Sequence, residues 1–191
     1  LASAIPSVAV VVGPAGTLTL VNVSNTITTL TMYSGNTSGA FLETGTGVLT
    51  LGGNVTLNVN GSGATGATIN SAGTGSMALG ATRTITVNDG SASDDLTISL
   101  IVSGSTFGIT KEGSGTLALT KANTFTGVTT LNAGTLSVVI MRNGGVASGI
   151  GASTNVATNL ILNGGTFRYT GGTASTNRLF TVGTSSAVTF D

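Results

Sequence analysis

Val, Leu and Ile recur at every second residue along much of this chain, as at Leu18 and Leu20, Val55, Leu57 and Val59, Ile85 and Val87, and Leu96, Ile98 and Leu100. A spacing of two marks a strand with one face buried, because successive strand side chains point to opposite sides. The three-and-four spacing of a helix is rarely sustained, and Gly and Thr interrupt each candidate helix. Turn signals separate the apolar runs: Gly52-Gly53-Asn54, Asn88-Asp89-Gly90, Asn143-Gly144-Gly145 and Asn163-Gly164-Gly165. The pattern predicts an all-β chain.

One short phrase returns along the sequence: GTLTL at Gly16–Leu20, GVLTL at Gly47–Leu51, GSMAL at Gly75–Leu79, GTLAL at Gly115–Leu119, GTLSV at Gly134–Val138 and GTFRY at Gly165–Tyr169. Its intervals of roughly 20 to 40 residues are those of solenoid coils with loops of variable length. Each copy offers one narrow apolar face, too small to be buried alone. Stacking coils about 4.8 Å apart would bury those faces in one continuous column. A parallel β-helix is therefore the expected fold, with a β-sandwich or jelly roll as the alternative that evenly spaced short strands also permit. Residues 1–191 are expected to form a single solenoid domain.

The segment Gly113–Val138, GSGTLALTKANTFTGVTTLNAGTLSV, resembles the autotransporter-associated β-strand repeat, also called the passenger-associated transport repeat. The resemblance lies in three pieces: a Gly-x-Gly-Thr-Leu strand at Gly113–Leu117, a Leu-Thr-x-x-Asn-Thr-Phe-Thr-Gly turn at Leu119–Gly127, and a Thr-Thr-x-Asn-x-Gly-Thr-Leu strand at Thr129–Leu136. The flanking stretches Ala81–Ser105 and Leu160–Asp191 are similar to the coils around this element. The resemblance implies a right-handed parallel β-helix, exported and displayed on the outside of a bacterial cell.

Composition narrows the possible functions. Only 6% of residues are charged, against about 25% in an ordinary soluble domain, and the net charge is +0. Nothing in that balance favours nucleic acid, and no apolar run is long enough to insert in a membrane. The chain has no His and no Cys, which removes Ser-His and Cys-His nucleophile pairs and imidazole or thiolate metal sites. The expectation is a non-catalytic protein without a cofactor.

Several local features still invite chemistry. Asp89, Asp94 and Asp95 sit together in a Gly/Ser-rich stretch; they read as a solvated turn, with calcium as the sharper alternative. A polysaccharide-active enzyme would need such carboxylates on one face. Lys111 and Lys121 are candidates for a lysine isopeptide staple, although Lys111 and Glu112 read as decoration of an exposed turn. Gly61–Gly66 spells G-x-G-x-x-G but lacks the helix and acidic residue of a dinucleotide site, so in so glycine-rich a chain it is a coincidence. Tyr33, Phe41, Phe167 and Tyr169 are the candidate aromatics for surface glycans, with coil packing the plainer reading. Asn60, Asn132 and Asn163 are expected at strand ends, where stacked amides can hydrogen-bond along the column.

Both ends read as strands. Leu1–Val12 is apolar without a basic leading region or an initial Met, and is read as a processed start or part of a longer chain. Val8, Val10, Val12, Val188 and Phe190 are the candidate assembly residues. The expected partners are neighbouring repeats of a longer chain or a second copy added head to tail, with residues 1–12 as a donated or capping strand.

Overall fold

In the computed structural model, which describes residues 5–184 and 187–191, the chain winds as a parallel β-helix of eight coils. Four coils carry three strands each. They are β1 (Ala9–Val12), β2 (Thr17–Thr19) and β3 (Asn25–Ile27); β4 (Thr29–Tyr33), β5 (Phe41–Glu43) and β6 (Val48–Leu51); β7 (Val55–Asn58), β8 (Ala67–Asn70) and β9 (Ser76–Leu79); and β10 (Arg83–Val87), β11 (Leu96–Ile98) and β12 (Ile101–Ser103). Four more carry two strands: β13 (Ile109–Glu112) and β14 (Thr116–Leu119); β15 (Thr129–Leu131) and β16 (Thr135–Val138); β17 (Leu160–Leu162) and β18 (Gly165–Tyr169); and β19 (Thr181–Val182) and β20 (Val188–Phe190).

The strands stack into three sheets. The first strands of the coils form sheet A, in the order β1-β4-β7-β10-β13-β15-β17-β19; the second strands form sheet B, β2-β5-β8-β11-β14-β16-β18-β20. Sheet C holds only β3, β6, β9 and β12, and every strand pairing in the three sheets is parallel. The register gives the coil length directly. Ala9 pairs with Thr29, a turn of 20 residues, whereas Thr129 pairs with Leu160, a turn of 31. The spare residues of long coils leave at the corners.

Alternation works as the sequence pattern requires. On sheet A the inward column runs Leu30, Val55, Ile85, Lys111, Leu131, Leu162; on sheet B one column runs Leu42, Ile69, Ile98, Leu119, Val138. Each apolar member of the two columns is buried. Burying one such side chain contributes about 1.5–3 kcal/mol, so the core is a sum of many like terms along one axis.

The recurring Gly-x-Leu-x-Leu phrase does not mark one sheet. The copies beginning at Gly16, Gly115, Gly134 and Gly165 enter sheet B, while those at Gly47 and Gly75 enter sheet C. What they share is a corner at which one coil touches the next. Gly134 and Gly165 also take φ of +68° and +83°, and a side chain on Gly165 would strike the Gly134 carbonyl below it. The phrase reports a tight corner, and the helix has more than one per coil.

Candidate functional site

The third face changes character within the middle of the chain. Through β12 it is an ordinary backbone ladder; beyond it, irregular segments continue the stack. Thr124 and Thr126 still donate their N–H groups to the carbonyls of Val102 (2.8 Å) and Gly104 (2.9 Å). The Val102 N–H faces no further strand and donates instead to Asn123 Oδ1 at 2.9 Å. Asn123 Nδ2 then donates to the Gly149 carbonyl in the next coil at 2.8 Å, and Asn123 N to that of Ser148 at 2.8 Å. This buried amide ends sheet C without leaving its edge unpaired. Phe125, fully buried, fills the interior behind it.

Four of the chain's few charged side chains are buried: Glu43, Asp95, Lys111 and Arg178. Each binds backbone groups where two successive coils meet. Glu43 accepts from the N–H of Gly45 (2.9 Å) and of Ala72 in the next coil. Asp95 accepts from Gly90 N (2.8 Å) and, one coil on, from Thr116 N (2.8 Å). Lys111 Nζ donates to the carbonyls of Glu112 (2.8 Å) and Gly113 (2.7 Å), and across the coil boundary to Ala133 (3.1 Å). Arg178 reaches back from the seventh coil to the carbonyls of Arg142 (3.0 Å), Val146 (3.0 Å), Gly151 (2.8 Å) and Ser153 (3.1 Å). It thereby pins the long excursion of the sixth coil.

Corners explain this use of charge. Where the chain leaves one sheet for another, its N–H and C=O groups fall out of the ladder, and burying them unpaired is costly. A charged side chain with several donors or acceptors satisfies two or three at once. Desolvation shows at both cations. Burial pulls the Lys111 ammonium down from its ordinary 10.5 to about 8, with Glu112, Asp95 and Asp89 pulling weakly upward. Burial also lowers the Arg178 guanidinium.

Two sequence expectations are corrected here. Lys111 does not decorate an exposed turn: it sits in the inward column between Ile85 and Leu131, fully buried. Its parity with inward-facing Ile109 was the available signal. Asp95 does not belong to a solvated turn, since it is fully buried and both its oxygens hold backbone N–H groups. Asp94 turns away to Arg168, at 2.6 Å, and Asp89 is exposed. The three aspartates thus have separate tasks, and among the described residues no three acidic, His or Cys side chains gather as a metal ion would require. Lys121 is exposed, beside a shallow cleft lined by Ser71, Thr74, Ser99 and Ile101.

The candidate aromatics do not share one surface. Phe167 is in the core, and Tyr169 packs against it with its hydroxyl donated to the Gly172 carbonyl at 2.7 Å. Tyr33 lies on sheet A and Phe41 on sheet B, both half-buried. The expected amide stack is real for Asn132 and Asn163, joined at 2.7 Å, and a second pair links Asn88 to Asn58 at 3.1 Å. Asn60 stands outside both.

Of the assembly candidates, Val12 is buried above Met32 and Val10 packs against the core, while Val8 and Phe190 are exposed. Val188 packs against the core from the last strand. Residues 9–12 of the expected donated strand pair with Thr29–Met32 of their own chain, and residues 1–4 lie outside the described residues.

Residues 109–138, from the start of β13 to the end of β16, match the family model described as the passenger-associated-transport-repeat. This stretch of the chain is similar to that repeat. In the structure it comprises the fifth coil and both strands of the sixth, and it contains Lys111, Asn123 and Phe125. It therefore spans the place where sheet C gives way to side-chain support. A stretch of 93 residues, 49% of this chain, is 47% identical to the protein described as adhesin BmaC autotransporter from Brucella suis biovar 1 (strain 1330). That stretch is 3% of the relative's length. No solved structure matches the chain.

Proposed function

We propose that this chain is a non-catalytic structural segment of a bacterial surface passenger, a stalk or spacer in a protein similar to autotransporter adhesins. The observation that carries the reading is the passenger-associated-transport-repeat placed within an unbroken stack of parallel coils. A solenoid of this kind gains length in equal steps and spends its side chains on the contacts between neighbouring coils. The deployment of buried charge supports the same reading: Glu43, Asp95, Lys111 and Arg178 have their polar atoms committed to backbone groups at coil junctions.

Within this proposal the terminal coils are continued by more coil, from neighbouring repeats of a longer polypeptide or from a second copy added head to tail.

An epitope inserted in the exposed segment 172–177 tests the location. On intact cells expressing the whole gene, antibody should reach it without permeabilisation. Labelling that appears only after the envelope is opened would refute a surface passenger. Electron microscopy of the purified protein reads the second point: short rods or end-to-end filaments fit a spacer, and round particles without axial extension contradict it.

A further inference from the structure

We propose that Asn60 is a site of spontaneous covalent modification, the position at which the folded protein first converts an asparagine to aspartate and isoaspartate. Three Asn-Gly pairs occur in the relevant turns: Asn60-Gly61, Asn143-Gly144 and Asn163-Gly164. Glycine matters because it has no side chain to shield its own backbone nitrogen. In the reaction that nitrogen attacks the asparagine Cγ. The amide group leaves as ammonia, taking up the proton shed by the backbone N–H, and a five-membered imide closes. Water then opens the imide at either carbonyl, giving aspartate or isoaspartate. Solvent is the only co-reactant.

The fold treats the three pairs differently. At Asn143 both reacting groups are held, since the Gly144 N–H donates to Asn177 Oδ1 at 2.9 Å and Asn143 Oδ1 accepts from Asn177 N at 3.0 Å. Asn163 is half-buried, its Nδ2 donates to Asn132 Oδ1 at 2.7 Å, and Gly164 is buried. Asn60 and Gly61 are both exposed. Among the described residues, neither the Asn60 side chain nor the Gly61 N–H has a hydrogen-bond partner, and the Asn60 carbonyl alone is engaged, by Gly63 N at 3.2 Å. Only here are nucleophile and electrophile free to meet in water.

The site is also a corner. Asn60 follows β7 by two residues, and the turn after it rests on the coil below through Ser62 N and Asn36 Oδ1 at 2.7 Å. Conversion places a negative charge on a chain that has only 6 acidic residues. The isoaspartate product also lengthens the backbone by one carbon at this corner.

Peptide mapping by mass spectrometry after incubation of the folded protein in mildly alkaline buffer tests the assignment. The amide-to-acid mass gain should appear at Asn60 roughly tenfold faster than at Asn143 or Asn163, a difference of about 1.4 kcal/mol in barrier. In denaturant the three sites should react at similar rates, because the hold on Asn143 and Asn163 is released. The Asn60→Gln variant should lose the early product and leave the other two sites unchanged. Native Asn143 or Asn163 reacting as fast as Asn60 would overturn the proposal. So would an intact Asn60 in folded protein under conditions that modify it in the denatured chain.

Discussion

Arg168 and Asp94 meet across 74 residues of sequence, with Arg168 Nη2 donating to Asp94 Oδ1 at 2.6 Å. In the register of sheet B, Arg168 pairs with Ser137, and Ser137 pairs with Ala118. Both of those small residues are buried on the outward parity, and Arg168 Nε donates to Ser137 Oγ at 3.3 Å. The arginine therefore runs down the face of the sheet, from the seventh coil to the corner of the fourth. Because the pair is 26% and 39% exposed, its electrostatic worth is small. A double-mutant cycle with Arg168→Ala and Asp94→Ala should give a coupling below about 1 kcal/mol that shrinks with added salt. Coupling of several kcal/mol would mean that the pair is more deeply desolvated than its exposure indicates.

Lys111 sets a dependence on pH. Its folded value of about 8 lies below the ordinary 10.5, so between these limits the unfolded chain binds more protons than the folded one. Stability should therefore rise as pH increases from about 8 towards 10.5, by at most about 3 kcal/mol. Below pH 8 the penalty for burying the ammonium is fully present. Denaturant unfolding across that range checks the sign. The rise should be absent in Lys111→Met; an equal rise in that variant would assign the effect elsewhere.

Asn123 ends sheet C, and its removal should be felt at a specific amide. Asn123→Ala deprives Val102 N–H and the Gly149 carbonyl of their buried partners, a loss of about 2–4 kcal/mol. Hydrogen exchange at Val102 should accelerate more than at Met77, which lies beside it in β9. Uniform acceleration over the whole chain would instead indicate global destabilisation only.

Thr44 offers the opposite sign. Its hydroxyl is buried without a hydrogen-bond partner among the described residues. Thr44→Val keeps the shape and removes an unsatisfied polar group, so stability should be unchanged or rise by up to about 1 kcal/mol. A clear loss of stability on thermal unfolding would show that the hydroxyl has a partner, such as a buried water.

The fold was largely legible in the sequence because alternation and corner glycines are local signals. Leu96 and Ile98 declare their strand by spacing alone, although Leu100, at the same spacing, falls at the bend beyond it, and Gly113–Val138 shows its likeness to the passenger-associated-transport-repeat by its residues. The stacking register was not legible. Spare residues such as those between Val138 and Leu160 leave at corners, so linear distance does not say which strands pair. That is also why copies of one phrase entered two different sheets. Lys111 and Asp95 run against their residue type for a related reason: charge points to solvent, whereas the unpaired backbone groups that bury them exist only once neighbouring coils are stacked. Arg178 leaves no signal beyond its type, because its partners lie in another coil; Asn123 is marked by its fixed place in the Leu119–Gly127 turn pattern, whereas its partners in neighbouring coils are not.

The stacking of the coils is directly measurable, because the sequence has no cysteine. Thr29, Thr84, Thr110, Thr130 and Thr181 occupy one outward column of sheet A, at the first, third, fourth, fifth and seventh strands counted from β4. Cysteines placed in pairs at Thr29 and each of the others, and spin-labelled, should give separations that grow by about 4.8 Å per strand-to-strand step, reaching about 29 Å for Thr29 with Thr181. Separations that fail to increase in that order would contradict a parallel β-helix.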